Sequence, residues 1–382
     1  MKPDTVDLPL AQQVGQLFML GFAGTEIPAE IETWITHRGL GGIILFRSNI
    51  DLPESVDHWS ASAWESSIFG RLHRLATCTP RSIPFLMAID QEGGQVSRLP
   101  PPFTQFPSPA LLGQRRSTAL VRRIAHMMAR ELRVAGINMN LAPVLDVNTN
   151  PENPVIGSRS FSPDPSLVSS LGVAFIKALQ GQGVIATAKH FPGHGDTSLD
   201  SHLTLPVVPH DRERLSRVEL VPFSAAIRAG VESVMTAHVL YPQLDPLFPA
   251  TLSRSILEGL LREGCGFGGV IITDDLSMQA ITKHYSLGEA ALLAFQAGAD
   301  LLLISRDSEQ QWEAYQAILT AVQQGKISLA RLSQSVRRVL ALKRRFPLPP
   351  FSPQRLVEFV TTQQADQALI AEILQQEPQE RL

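Results

Sequence analysis

Short apolar runs alternate with longer amphipathic stretches along most of the chain. The runs are QLFMLGF (16–22), GGIILF (41–46), IPFLMAI (83–89), INMNLAPVL (137–145), GVIATA (183–188), SVMTAHV (233–239), GVIIT (269–273) and DLLLIS (300–305). They are rich in Ile, Val, Leu and Met, with Gly at or near several starts, which predicts strands buried on both faces of a parallel sheet. Helical spacing occupies 28–37, 54–76, 116–134, 165–180, 211–229, 254–263 and 286–298, with 308–324 and 328–345 after the last run. Pro165-Ser166 and Ser253 are placed to start helices, and Gly136, Gly230 and Gly264 to end them. Eight strands alternating with helices predict an α/β fold, a single (β/α)8 TIM-type barrel. The rival, an open doubly wound sheet, would be favoured by an early Gly-rich phosphate loop, and the lone Gly93-Gly94 pair is not one.

The barrel is expected over residues 1–345. Arg345-Phe346-Pro347-Leu348-Pro349-Pro350 breaks the alternation, and 346–382 reads as a Pro-containing linker with a short polar helical appendage. That tail has too few apolar residues to build a core of its own.

Composition narrows the class. The 382 residues carry a net charge of −3, with 44% hydrophobic and 18% charged residues. A nucleic-acid or anionic-membrane binder needs a basic surplus, so neither partner is expected. No stretch approaches the roughly 18–20 uncharged apolar residues of a membrane helix. Asp4 and Asp7 fall where an export signal would carry its apolar region, and two cysteines suit a reducing compartment. The expectation is a soluble cytoplasmic protein, monomeric, acting on a small molecule.

Reactive residues of such a barrel lie at the carboxyl ends of its strands. The third run ends in Asp90, the fourth in Asp146 and the fifth in Lys189-His190. The sixth carries His238, the seventh ends in Asp274-Asp275 and the eighth in Arg306-Asp307. Six successive ends bearing titratable groups predict one shared pocket. The segment from Lys189 to His202 holds three of the ten histidines and turns glycine-rich, so it is expected to form a long loop over the barrel mouth. Asp200 and His202, two apart, suit a carboxylate holding one imidazole nitrogen so that the other serves as a general acid or base. Solvated loop histidines are the bland reading, and the clustering speaks against it.

A metal site is the sharper rival, since His190, His194, Asp196, Asp200 and His202 are all capable ligands. Pro192 and Gly193 break the helix that an H-x-x-x-H pair prefers, and the first strand lacks an H-x-H pair. Asp274 is expected to point into the pocket as nucleophile or base, with Asp275 turned toward structure. Asp90, Arg98 and Arg159 supply charged hydrogen-bonding groups suited to sugar hydroxyls, against the alternative of a salt-bridged loop scaffold.

The segments DQEGGQVSRL (90–99), NLAPVLDVNTNPENPVIGSRSF (140–161), AKHFPGHGDTSLDSH (188–202), MTAHVLYPQLD (235–245) and ITDDLSM (272–278) occur in this order. Together they resemble glycoside hydrolase family 3, in its one-domain β-N-acetylhexosaminidase branch, over roughly residues 10–345. The resemblance implies a retaining enzyme that needs no cofactor and no metal. It would release terminal β-linked N-acetylglucosamine, in bacteria as part of cytoplasmic muropeptide (peptidoglycan) recycling. It implies Asp274 as nucleophile, His202 as acid/base and Asp200 as its partner. It also implies Asp90, Arg98, Arg159, Lys189 and His190 as ligands of the sugar in the −1 subsite. A histidine–aspartate dyad replaces the second carboxylate common among glycosidases, and an imidazole works nearer neutral pH than a lone carboxyl.

Two departures stand out. Ser158 occupies a position where relatives often carry Asp, and the second domain of the family's β-glucosidases is missing, which favours the hexosaminidase branch. The readings kept beside it are another family 3 exo-β-glycosidase, a phosphorylase using phosphate as acceptor, a metal-dependent barrel hydrolase and a non-catalytic sugar-binding protein.

Overall fold

A computed structural model describes residues 8–52, 60–79, 83–362 and 364–375. Asp4 and Asp7, the start of the helix expected over 54–76, and the Gln/Glu-rich end lie outside the described residues.

Each apolar run contributes one strand to a single sheet: β1 (Phe18–Leu20), β2 (Gly42–Leu45), β3 (Leu86–Ile89), β6 (Met139–Asn140), β7 (Ile185–Phe191), β8 (Ser233–Thr236), β9 (Val270–Ile272) and β10 (Leu302–Ile304). A small antiparallel pair, β4 (Gln91–Gly93) and β5 (Val96–Ser97), follows β3. The sheet order is β10-β1-β2-β3-β6-β7-β8-β9, with every neighbour parallel. A parallel bridge between Ile272 and Leu301 brings β9 to β10 and closes the ring. The strand within INMNLAPVL is short because Pro143 has no N–H to offer its neighbour; pairing resumes only as a bridge between Val144 and Lys189.

The period of two along each strand splits the apolar residues into two cores. Met19, Ile44, Leu86, Met139, Met235 and Leu303 fill the barrel interior, while Phe18, Leu20, Ile43, Leu45, Met87 and Ile89 pack outward under the helices. Both sets are sealed from water, which is why the runs read as continuously apolar.

The helices begin and end where their caps stand. The Asp164 carboxylate accepts the Ser166 N–H at 2.9 Å with Pro165 as first helical residue, and the Ser253 hydroxyl accepts the Ile256 N–H at 3.2 Å. Gly136 and Gly230 end their helices at φ of +82° and +83°, a conformation L side chains resist. Two expected helices are each divided. Ser67 ends Ala61–Ser66 and caps Ile68–Thr77. Pro222 sits in the first turn of Leu220–Arg228, where a continuous helix from Arg212 would set its ring against the Val218 carbonyl.

The floor of the barrel is plugged by the helix Leu329–Arg345. Its Val339 and Leu342, with the following Phe346, join the interior core, and the Asn138 side-chain amide bonds the Phe346 carbonyl at 3.0 Å. Lys343 is fully buried with its ammonium on Gln16 Oε1 at 2.6 Å, and burial pushes its pKa down to about 7. The tail forms helices Pro353–Thr362 and Gln364–Leu374 laid against the barrel, with Ile370 and Ile373 buried in the main core. Among the described residues no helix is long and apolar enough to cross a membrane.

Candidate active site

At the carboxyl ends of the strands a cavity of about 870 Å³ opens. Asp90, Arg98, Arg159, Lys189, His190, His202 and Asp274 all line it; Asp200 stands behind His202. Residues up to 184 positions apart in the chain thus share one wall-to-wall site, because each ends a strand or stands on the loop that follows one.

One corner is a buried charge network. The Lys189 ammonium lies 2.7 Å from both Asp90 Oδ1 and Glu92 Oε1. Glu92 also receives Arg159 Nε and Nη2, each at 2.8 Å. Burial acts to raise the Glu92 pKa, but the Arg159 and Lys189 charges and hydrogen bonds overcome it and hold the carboxyl far below its ordinary range. Glu92 is therefore a permanent anion that fixes two cations. With two of three Lys189 donors engaged, and three of five Arg159 donors engaged through Glu92 and the Val155 carbonyl, each cation keeps donors for a ligand.

Arg98 returns to the same cavity through the hairpin β4–β5. The Asn140 side chain holds both the N–H and carbonyl of Gln91, at 3.0 and 2.9 Å, while Gln91 Oε1 accepts the Arg98 N–H at 2.8 Å. Gly93 and Gly94 make the turn at φ of +98° and +59°. The Arg98 Nε is buried without a hydrogen-bond partner among the described residues, so its polar capacity is unspent.

The two aspartates after β9 divide as expected from their positions. Asp275 Oδ1 accepts from the Ser277 N–H and hydroxyl and the Ser305 N–H, and Oδ2 accepts the Ser305 hydroxyl. Asp274 faces the cavity, with Oδ1 taking only the Asp275 N–H, at 2.8 Å, among the described residues. Burial works to raise its pKa; the imidazoles of His238 and His190, the Asp275 N–H and Lys189 outweigh that and keep it below the ordinary value. An ionised carboxylate in the cavity has the charge a nucleophile needs. His238 lies beneath, bonding the Asp275 carbonyl through Nε2 at 2.9 Å and Thr251 through Nδ1 at 2.8 Å.

The long loop after β7 hangs from Asp146. This buried carboxylate takes the His190 ring at 2.7 Å and the His190 and His194 N–H groups at 3.2 and 2.6 Å. His190 therefore turns its Nε2 toward the cavity. Further out, Asp200 Oδ1 accepts both the N–H and the Nδ1 of His202, at 2.8 and 2.7 Å. The bond leaves His202 Nε2 free to face the cavity.

The chain matches the model of the glycosyl hydrolase family 3 N terminal domain over residues 9–342. The chain belongs to glycoside hydrolase family 3. A curated beta-hexosaminidase from Nitrosomonas eutropha is 35% identical over 338 residues, covering 85% of this chain and 91% of that one. Beta-hexosaminidase A of Pseudoalteromonas piscicida is also 35% identical, over 90% of this chain, which spans only 62% of that longer protein. Among solved structures, a family 3 beta-N-acetylglucosaminidase from Paenibacillus sp. str. FPU-7 superposes with a TM-score of 0.83 at 46% identity, covering 93% of this chain and 68% of that one. NagZ from Neisseria gonorrhoeae, in complex with N-trifluoroacetyl-D-glucosamine, gives a TM-score of 0.72 at 29% identity, covering 94% and 96%.

Within this family 3 site the five candidate metal ligands each have a different partner. His190 is on Asp146, His194 on Thr197 and Ser201, Asp196 on Thr149 and His210, and Asp200 on His202. Among the described residues no three His, Cys, Asp or Glu side chains form a group that could hold a metal ion. Glu92 had no role in the sequence reading, Asp146 entered it only as a strand-end charge and His194 only as a candidate metal ligand. Glu92 stands beside two residues singled out as sugar ligands, and an acidic residue two after a strand-end aspartate was the available signal.

Proposed function

We propose that this glycoside hydrolase is a retaining β-N-acetylhexosaminidase that releases terminal non-reducing β-linked N-acetylglucosamine. The observation that carries the reading is a single cavity lined by an ionised Asp274 and by a His202 imidazole whose other nitrogen is held by Asp200. Asp274 attacks the anomeric carbon while His202, protonated, gives its proton to the leaving oxygen as the glycosidic bond breaks. A glycosyl–Asp274 ester remains. Neutral His202 then takes a proton from water, whose oxygen attacks the same carbon and frees Asp274. Asp90, Arg98, Arg159, Lys189 and His190 hold the sugar hydroxyls in the −1 subsite.

The named relatives support the N-acetyl sugar. Muropeptide recycling in the cytoplasm is the natural setting we propose, with residues 1–345 as the catalytic unit and 346–382 as its tail.

The test compares chromogenic β-N-acetylglucosaminide with the matching β-glucoside, with chelator present. Strong preference for the N-acetyl sugar is expected, and preference for the glucoside overturns the substrate. A fluorinated activated glycoside should leave an adduct on the peptide containing Asp274; an adduct elsewhere overturns the nucleophile.

A further inference from the structure

The Asp200–His202 dyad stands at the surface, with the His202 side chain 60% exposed. Ser201 between them is 2% exposed and faces inward, where its hydroxyl meets His194 Nε2 at 2.9 Å. His194 is itself clamped to the barrel. Its N–H lies on Asp146 and its carbonyl accepts the Asn153 side-chain amide at 2.9 Å.

The hydrogen positions follow from the partners. The Thr197 hydroxyl donates to the His194 carbonyl at 3.1 Å, so the 2.9 Å contact between His194 Nδ1 and Thr197 Oγ1 has Nδ1 as donor. His194 Nε2 then accepts, and Ser201 donates. Burial, reinforced by His190, lowers the His194 pKa to about 4, which keeps this tautomer neutral through the working range.

We propose that His194 and Ser201 are positioning residues for proton transfer: the Ser201 hydroxyl, anchored on the rigid His194 ring, sets where the flanking Asp200 and His202 stand over the cavity. The proposal rests on the reading of His202 as acid/base. Both line the cavity beside the dyad, and the role assigned to them is to hold Asp200 and His202 in place. Their effect is confined to the step that needs a well-placed proton.

That confinement supplies the test. kcat/KM reports the step up to glycosyl transfer to Asp274, and a dinitrophenyl leaving group departs without a proton whereas an alkyl one does not. Ser201→Ala and His194→Asn should lose on the order of tenfold to a hundredfold on an alkyl β-N-acetylglucosaminide, with a much smaller loss on the dinitrophenyl glycoside. Asn reaches only the Nδ1 position. His194→Gln places an acceptor near Nε2 and should recover most of the loss. Equal losses on both substrates, no loss on the alkyl glycoside, or Gln no better than Asn each overturn the proposal. His202→Ala serves as control: if it fails to separate the two leaving groups, the acid/base reading falls and this inference with it. If it separates them and Ser201→Ala does not, the inference alone fails.

Discussion

Asp200 grips His202 twice through one oxygen, at the backbone N–H and at ring Nδ1. The grip fixes which ring nitrogen is free and how the ring is turned. Asp200→Ala should lower kcat/KM on an alkyl glycoside by roughly a hundredfold or more. Slight burial acts to raise the Asp200 pKa, but the His202 contacts pull it below 3.8. The partner charge therefore persists further into acid than that of a free aspartate. A wild-type pH–rate profile measured beside the variant's checks this, and an unchanged profile would exclude the partnership.

Glu92 is the counter-charge for two buried cations. Glu92→Gln should cost about 3–5 kcal/mol of stability at pH 7, because Lys189 and Arg159 lose the anion between them. The native pKa is depressed, so the stabilisation is present in full above the unfolded value near 4.5 and is lost as pH falls below it. Urea denaturation at pH 7 and at pH 3.5 should show the gap between wild type and variant narrowing at the lower pH. A pH-independent gap would contradict the ion-pair account.

Lys343 has the opposite sign. Its native pKa of about 7 lies below the ordinary 10.5, so the cost of its charge is present in full below pH 7 and fades as pH rises toward 10.5. That cost is about 5 kcal/mol, offset on substitution by about 1–3 kcal/mol for the orphaned Gln16 oxygen. Lys343→Met is thus expected to be more stable than wild type at pH 6 by about 2–4 kcal/mol. The advantage should vanish near pH 10. Denaturation midpoints at the two pH values check it, and a variant weaker at pH 6 refutes it.

Gly195 lets the long loop lie against the segment that follows β6. A Cβ there would stand 1.8 Å from the Val147 carbonyl oxygen, which is backbone and has no room to yield. Gly195→Ala should therefore lift the loop and reduce activity on alkyl glycosides by at least tenfold, with a fall in Tm. Wild-type rates from this variant would show that the loop's seat is irrelevant to catalysis.

The barrel was legible because every strand is short, apolar and buried on both faces, a signal local to each segment. The loop carrying His202 was legible for a similar reason, since Gly and Pro follow the β7 run directly. What escaped was non-local. Glu92 and Arg159 are 67 positions apart, and Asp146 and His190 are 44 apart, so no spacing rule joins them. The breaks at Ser67 and before Pro222 were written in capping and ring geometry that an amphipathic pattern alone overlooks. Ile370 and Ile373 read as part of a polar tail because only their small apolar stripe is covered.

The helix Leu329–Arg345 stoppers one end of the barrel with Leu342 and Phe346. Traffic through the site accordingly has a single doorway. On the mechanism proposed above, the severed group therefore leaves by the mouth, along the path by which the hydrolytic water must come to release the sugar from Asp274.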